Sequence, residues 1–187
     1  MNRLALSLYT VLVLFGGCDV QRMATVSKAD AQNPPFSISI VPETNHVQPF
    51  GGSIAMAREK ARTFHVVISN VSPETQAVWE DWNSWGYQNV SFELVTENGK
   101  KVLLSKRQAE FTTNFPSTFL IEPRENQVYD IRLDEEWKAQ PTLAKSDEMA
   151  ITLKAIYEVP PTPEAAEYKV WTGRVESRSY KFKLRQW

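Results

Sequence analysis

Val90-Ser91-Phe92-Glu93-Leu94-Val95 and Lys101-Val102-Leu103-Leu104 stand on either side of Glu97-Asn98-Gly99-Lys100. The first run alternates apolar and polar residues, the period of a half-buried strand. The second is rich in apolar residues of strand length. Asn-Gly between two such runs is the strongest short signal for a hairpin, because both residues tolerate positive φ. The centre of the chain is therefore expected to be an antiparallel pair, and the rest can be fitted around it.

Upstream, Thr63 to Val71 is rich in β-branched and aromatic residues and stops at Ser72-Pro73-Glu74, which carries turn chemistry. It is the best candidate for a central strand. Gln76 to Trp82 supplies another, with Ala77, Trp79 and Asp81 on one face and Val78, Glu80 and Trp82 on the other. Phe36 to Val41 alternates and ends at Pro42. Between these, Val47 to Arg62 has little periodicity; Phe50-Gly51-Gly52 reads as a loop, followed by a short helix or extended arm from Ala55 to Lys60. Downstream, strands are expected over Ser117–Ile121, Val128–Leu133, Met149–Val159 and Tyr168–Leu184, the last broken near Gly173, with Pro160-Pro161-Thr162-Pro163 as a connection. About seven to nine short strands with turn signals between them predict an all-β, antiparallel β-sandwich, immunoglobulin-like or fibronectin-like. No βαβ alternation is present, which excludes doubly wound folds.

Composition narrows the chemistry. The net charge is −1 and acidic and basic residues are interspersed, so there is no electrostatic footprint for nucleic acid. With one cysteine and two histidines, His46 and His65, a zinc site built on His and Cys spacing is excluded. His65 lies in the central strand, with Phe64 and Val66 expected on the opposite face, and reads as a structural or solvated histidine. No Gly-x-Ser-x-Gly, P-loop or dinucleotide fingerprint occurs, so no catalytic residue and no cofactor is implied.

Two acidic patterns need weighing. Asp81-Trp82-Asn83-Ser84-Trp85-Gly86 opens like a calcium loop, but Trp85 occupies position five and Phe92 position twelve, where a bidentate Glu is required. It reads as a turn. Asp134-Glu135-Glu136 and Asp147-Glu148 contain enough carboxylates for glycoside hydrolysis, which keeps an envelope hydrolase as a third-ranked function. Their position at expected strand ends favours solvated faces. The densest local feature is Trp79, Trp82, Trp85 and Tyr87. A strand-borne Trp79 suits an inter-sheet core. Trp82, Trp85 and Tyr87, nearer the turn, are the candidates for contact with a partner, since aromatics combine large contact area with few rotamers. Trp171 and Trp187 are assigned to the core or its rim.

At the N-terminus, Arg3 precedes an apolar stretch from Leu4 to Phe15, shorter than the roughly 20 residues a membrane span needs. It runs into Leu14-Phe15-Gly16-Gly17-Cys18, which resembles the lipobox of bacterial lipoproteins; Phe15 stands where Leu, Val or Ile is usual. The resemblance implies a signal peptide over 1–17, removed before acylation of Cys18. Cys18 has no disulfide partner in the chain, in keeping with that fate. The polar stretch 18–35 reads as a lipidated N-terminus and flexible tether, and 36–187 as one domain. The expected location is a bacterial cell-envelope membrane reached by export. Asp19 resembles an inner-membrane retention signal, and the leaflet stays open.

The segment from Asn70-Val71-Ser72 through the Glu93–Lys101 hairpin to Glu122-Pro123-Arg124-Glu125 is similar to the small β-sandwich domains of the bacterial intracellular proteinase inhibitor family. Their Pro-Gly-Glu turn appears here as Pro123-Arg124-Glu125, with Arg for Gly. The resemblance covers about half the domain and implies a fold more than an activity. The leading expectation is a membrane-tethered, non-enzymatic lipoprotein that binds an envelope protein or glycan or has a structural role. A protease-inhibitor-like domain is the alternative.

Overall fold

A computed structural model describes residues 34–42, 53–56, 63–141 and 148–186. Cys18, Asp19, the signal and tether sequence, His46, Phe50-Gly51-Gly52, Asp147 and Trp187 lie outside the described residues. In chain order the described elements are β1 (Phe36–Val41), β2 (Ser53–Met56), β3 (Phe64–Asn70), β4 (Gln76–Trp79), β5 (Val90–Thr96) and β6 (Lys101–Lys106). There follow β7 (Thr118–Ile121), β8 (Asn126–Ile131), β9 (Trp137–Lys138), β10 (Glu148–Val159), α1 (Pro163–Glu167), β11 (Gly173–Glu176) and β12 (Tyr180–Gln186).

Two sheets face each other. One has the order β1-β3-β8, antiparallel throughout. The other runs β2-β12-β10-β5-β6-β9, with β11 continuing beyond β12 along the same edge of the long strand β10. Alternation decides which side chains turn inward: Phe36, Ile38 and Ile40 on β1, Phe64, Val66 and Ile68 on β3, and Phe92, Leu94, Leu153, Tyr157, Phe182 and Leu184 from the larger sheet are all buried. Rings meet across the gap, Phe64 against Phe92 at 5.6 Å and Tyr129 against Tyr157 at 6.1 Å between centroids. Apolar residues of both sheets thus form one core.

Several expectations are corrected. β2 begins before the expected arm and overlaps it at Ala55 and Met56, and it pairs in parallel with β12, Ile54 opposite Leu184; 57–60 lie outside the described residues. The strand from Gln76 stops at Trp79, so Trp82 belongs to a turn. The Tyr168–Leu184 run is interrupted just before Gly173, where β11 begins, and a second time at Ser177, which the sequence did not suggest: Ser177 Oγ accepts the Ala155 N–H at 2.9 Å, and Ser177 N–H donates to the Ala155 carbonyl at 2.9 Å. Pro160–Pro163 is more than a connection, because Thr162 caps α1 by accepting the Ala165 N–H at 3.1 Å. In the central hairpin only Gly99 takes positive φ (+79°). Its N–H donates to the Thr96 carbonyl at 2.9 Å and the Thr96 N–H to the Lys100 carbonyl at 3.0 Å. That is a turn closed by a left-handed glycine, the longer hairpin form, rather than a two-residue turn with both residues left-handed.

The third pair, β4 with β7, is antiparallel and continues the β3–β8 ribbon around a corner. Both strands bend there, β3 into β4 through 71–75 and β7 into β8 through 122–125. Asn70, 1% exposed, holds the bend. Its Nδ2 donates to the Glu74 carbonyl at 2.7 Å and the Ile121 carbonyl at 2.8 Å, and its Oδ1 accepts from Ser72 N–H and Oγ. Its backbone N–H donates to Glu125 and its carbonyl accepts from Arg124, each at 3.0 Å. Every polar atom of a buried asparagine is satisfied, which is the condition for burying one without cost.

Candidate functional site

Strand register sorts the loops into two ends. Phe36 pairs with Asn70, Val90 with Tyr157, and Ser91 with Ser105. The corner 71–75 and 122–125, the loop 80–89, the loop 107–117 and α1 therefore lie at one end, together with Pro35, whose carbonyl accepts the Val71 N–H at 2.8 Å. The hairpin tip at Gly99 and the start of β10 lie at the other.

Trp82 sits at the Pro35 end, 42% exposed, with its ring 5.0 Å from that of Phe115, which is 53% exposed. The two loops that carry them are fastened together. Asn83, fully buried, accepts the N–H groups of Trp85 and Gly86 on Oδ1, each at 3.0 Å, and donates from Nδ2 to the Ser117 carbonyl at 3.1 Å. Asn114 accepts the Ser84 N–H and donates to Ser84 Oγ at 2.9 Å. Gly86 is required, since a Cβ there would collide with the Glu80 carbonyl oxygen. A rigid platform carrying an exposed aromatic pair follows from these contacts.

The three aromatic candidates separate. Trp85 is half-buried and leans on Trp79 at 6.0 Å, and Trp79 itself is in the core as expected. Tyr87 is half-buried under Lys106, whose Nζ lies 4.1 Å from the ring centre, with Phe111 against its edge at 5.7 Å. Desolvation pushes the Tyr87 phenol up, helped by Glu136; burial pushes the Lys106 ammonium down, against the pull of Asp81, Glu136 and Asp134. Trp171 is half-buried, edge-on to Phe36 and stacked with Tyr157. Sequence reasoning missed Phe115 and Asn83. The available signal was a large apolar side chain inside the turn Thr113-Asn114-Phe115-Pro116, where burial is hard to arrange.

The described residues of the acidic runs do not converge. Glu148 pairs with Arg185 (2.5 Å) and Lys183 (3.3 Å) at the Gly99 end. Asp134 caps the backbone of Glu136 at the other end, where Glu136 approaches the Tyr87 hydroxyl at 3.5 Å. His65 Nδ1 lies 2.8 Å from Asp130 Oδ1 on the outer face of the smaller sheet. Among the described residues no group of three or more His, Cys, Asp or Glu is placed to hold a metal ion, and no helix is long and apolar enough to cross a membrane.

No protein-family model matches this chain, and no curated protein matches it. The functional reading therefore rests on the residues alone. Within the core, burial pushes the Tyr157 phenol up to about 12; Tyr129 and Asn89 lie near enough to oppose this, yet neither Tyr157 Oη nor Asn89 Nδ2 makes a hydrogen bond of good geometry. Both sit beneath the loops of the Pro35 end.

Proposed function

We propose that this protein is an exported lipoprotein, anchored through Cys18 to a bacterial envelope membrane. It has no catalytic role and works by binding an envelope partner, protein or glycan, or by holding a place there. The observation that carries the binding reading is the Trp82–Phe115 pair, exposed on loops fixed by Asn83 and Asn114. Aromatics held rigidly lose little entropy on contact, which is why they dominate binding energy where they occur. The anchor reading rests on Gly16-Gly17-Cys18 after the apolar stretch.

The finer fold assignment belongs here too. An immunoglobulin-like sandwich is supported by a first strand that pairs antiparallel in one sheet (β1 with β3) and a following strand that crosses to the other (β2 with β12). Labelled palmitate tests the anchor: incorporation into the wild-type chain and none into Cys18→Ala is expected, and equal labelling of both refutes it.

Against the alternative, a protease-inhibitor-like domain, stands the exposed and tightly bonded corner around Arg124. Arg124 has φ +69°, and the Glu125 N–H closes the turn on the Glu122 carbonyl at 3.0 Å. That geometry opposes substrate-like binding, which requires an extended backbone open to strand pairing. Any inhibition would have to come from another part of the surface.

A further inference from the structure

The geometry points to the bilayer itself as the surface that the Trp82–Phe115 end meets. This deepens the lipoprotein reading, rests on it, and gives this face to lipid in place of a protein or glycan partner. Nine large apolar side chains among the described residues are exposed, and six of them, Val71, Trp82, Phe115, Phe119, Leu120 and Tyr168, belong to the corner, the loops, the β4–β7 pair and the helix terminus at the Pro35 end. The other three lie apart: Val41 opposite His65 at the far end, and Leu103 and Val128 within strands.

The chain enters the domain at this same end. Pro35 is bonded to Val71, and Pro34 is 16 positions beyond Cys18, a span of at most roughly 55 Å when fully extended. The tether leaves from the Pro35 end, so that end can meet the anchoring surface without the chain wrapping around the domain, and there the exposed Trp82 and Tyr168 find the chemistry that suits them. Trp and Tyr settle at the headgroup level, where an apolar ring and a polar edge are both accommodated.

Charge sets the mode of contact. Asp81 borders Trp82, and exposed Glu74, Glu122 and Glu125 surround Arg124 at the corner. The end is acidic on balance, so attraction to anionic lipid contributes nothing and contact depends on shallow burial of the rings. Rigidity favours this: the loops are already ordered by Asn83 and Asn114, so docking does not have to order them.

The experiment uses the full, acylated chain reconstituted into zwitterionic vesicles containing lipids brominated near the headgroup, with mass analysis of the N-terminal peptide on the same sample. The expected result is quenching of tryptophan emission, most of it removed by Trp82→Phe and little of it by Trp171→Phe. Raising the anionic lipid fraction at low salt leaves the quenching unchanged or reduces it. An acylated chain whose quenching is absent, or is the same in Trp82→Phe, overturns the docking and leaves the anchor standing. A chain without acylation overturns the anchor and this inference with it. Trp82 emission that shifts only when envelope glycan or protein extract is added, and never with lipid alone, also overturns the docking and assigns the face to a partner.

Discussion

The Pro35 end and the Gly99 end of the sandwich solve the same problem, reversing strands, in opposite ways. At the Gly99 end the reversal takes a few residues. Gly99 supplies the one left-handed backbone, and Asn98 Oδ1 takes the Thr96 hydroxyl at 2.5 Å and the Lys100 N–H at 3.2 Å, all exposed to water. At the Pro35 end the loops are long and carry apolar side chains, and two buried asparagines, Asn70 and Asn83, replace the missing ladder bonds. A short polar turn is a local device whose loss is felt locally. A loop ordered by a buried amide is part of the core, and it can present an exposed ring without collapsing over it.

Removing the amide at each end measures that difference. Asn70→Ala leaves the buried Ile121 carbonyl without its donor and removes the acceptor of the Ser72 N–H, and should cost about 2 kcal/mol in urea unfolding. Asn98→Ala, where water replaces what is lost, should cost under about 1 kcal/mol. Equal losses would break the contrast between the ends.

Alkali tests the buried side of the Pro35 end. Tyr157 ionises at about 12 in the folded protein against 10.0 as a free phenol, and Tyr129 is raised well above that value, chiefly by burial. Because the folded pKa is raised, the stabilisation is complete below pH 10 and is lost as pH climbs toward 12, where only the unfolded phenol is charged. The slope is about 1.4 kcal/mol per pH unit for each such group. Urea midpoints measured from pH 9.5 to 11.5 should fall accordingly, and Tyr157→Phe should flatten the fall.

The smallest effect sharpens the comparison at one residue. Arg124 occupies the left-handed position of the corner turn, which costs a non-glycine residue about 1 kcal/mol. Arg124→Gly should recover about that much in thermal unfolding, less whatever glycine adds to the freedom of the unfolded chain. Destabilisation would mean that the guanidinium holds the corner in place.

The legible parts of the sequence follow from these same residues. Phe36–Val41, Phe64–Asn70 and Val90–Thr96 announced themselves because each has one face on a core, and burial writes a period of two into the sequence. β2 was illegible because a short strand held at a sheet edge beside β12 needs no alternation. The break at Ser177 was illegible for a different reason: its hydroxyl answers a backbone group 22 residues away, and no local pattern records that bond. At the candidate site, the cluster of Trp82, Trp85 and Tyr87 was visible as composition. Its division into one exposed ring and two half-buried ones depended on Trp79, Lys106 and Phe115, two of them distant in the chain.

The crossing of β2 to β12 also bears on when the fold can close. β12 lies between β2 and β10, and it brings Phe182 and Leu184 into the core from late in the sequence. Until those residues are available, β2 has no neighbour among the described strands and β10 offers an open edge, so the larger sheet closes on that side only after β12 has been made. Such a topology delays closure of the core until a late strand arrives, and a polypeptide that has to be passed through a membrane before it folds gains from that delay.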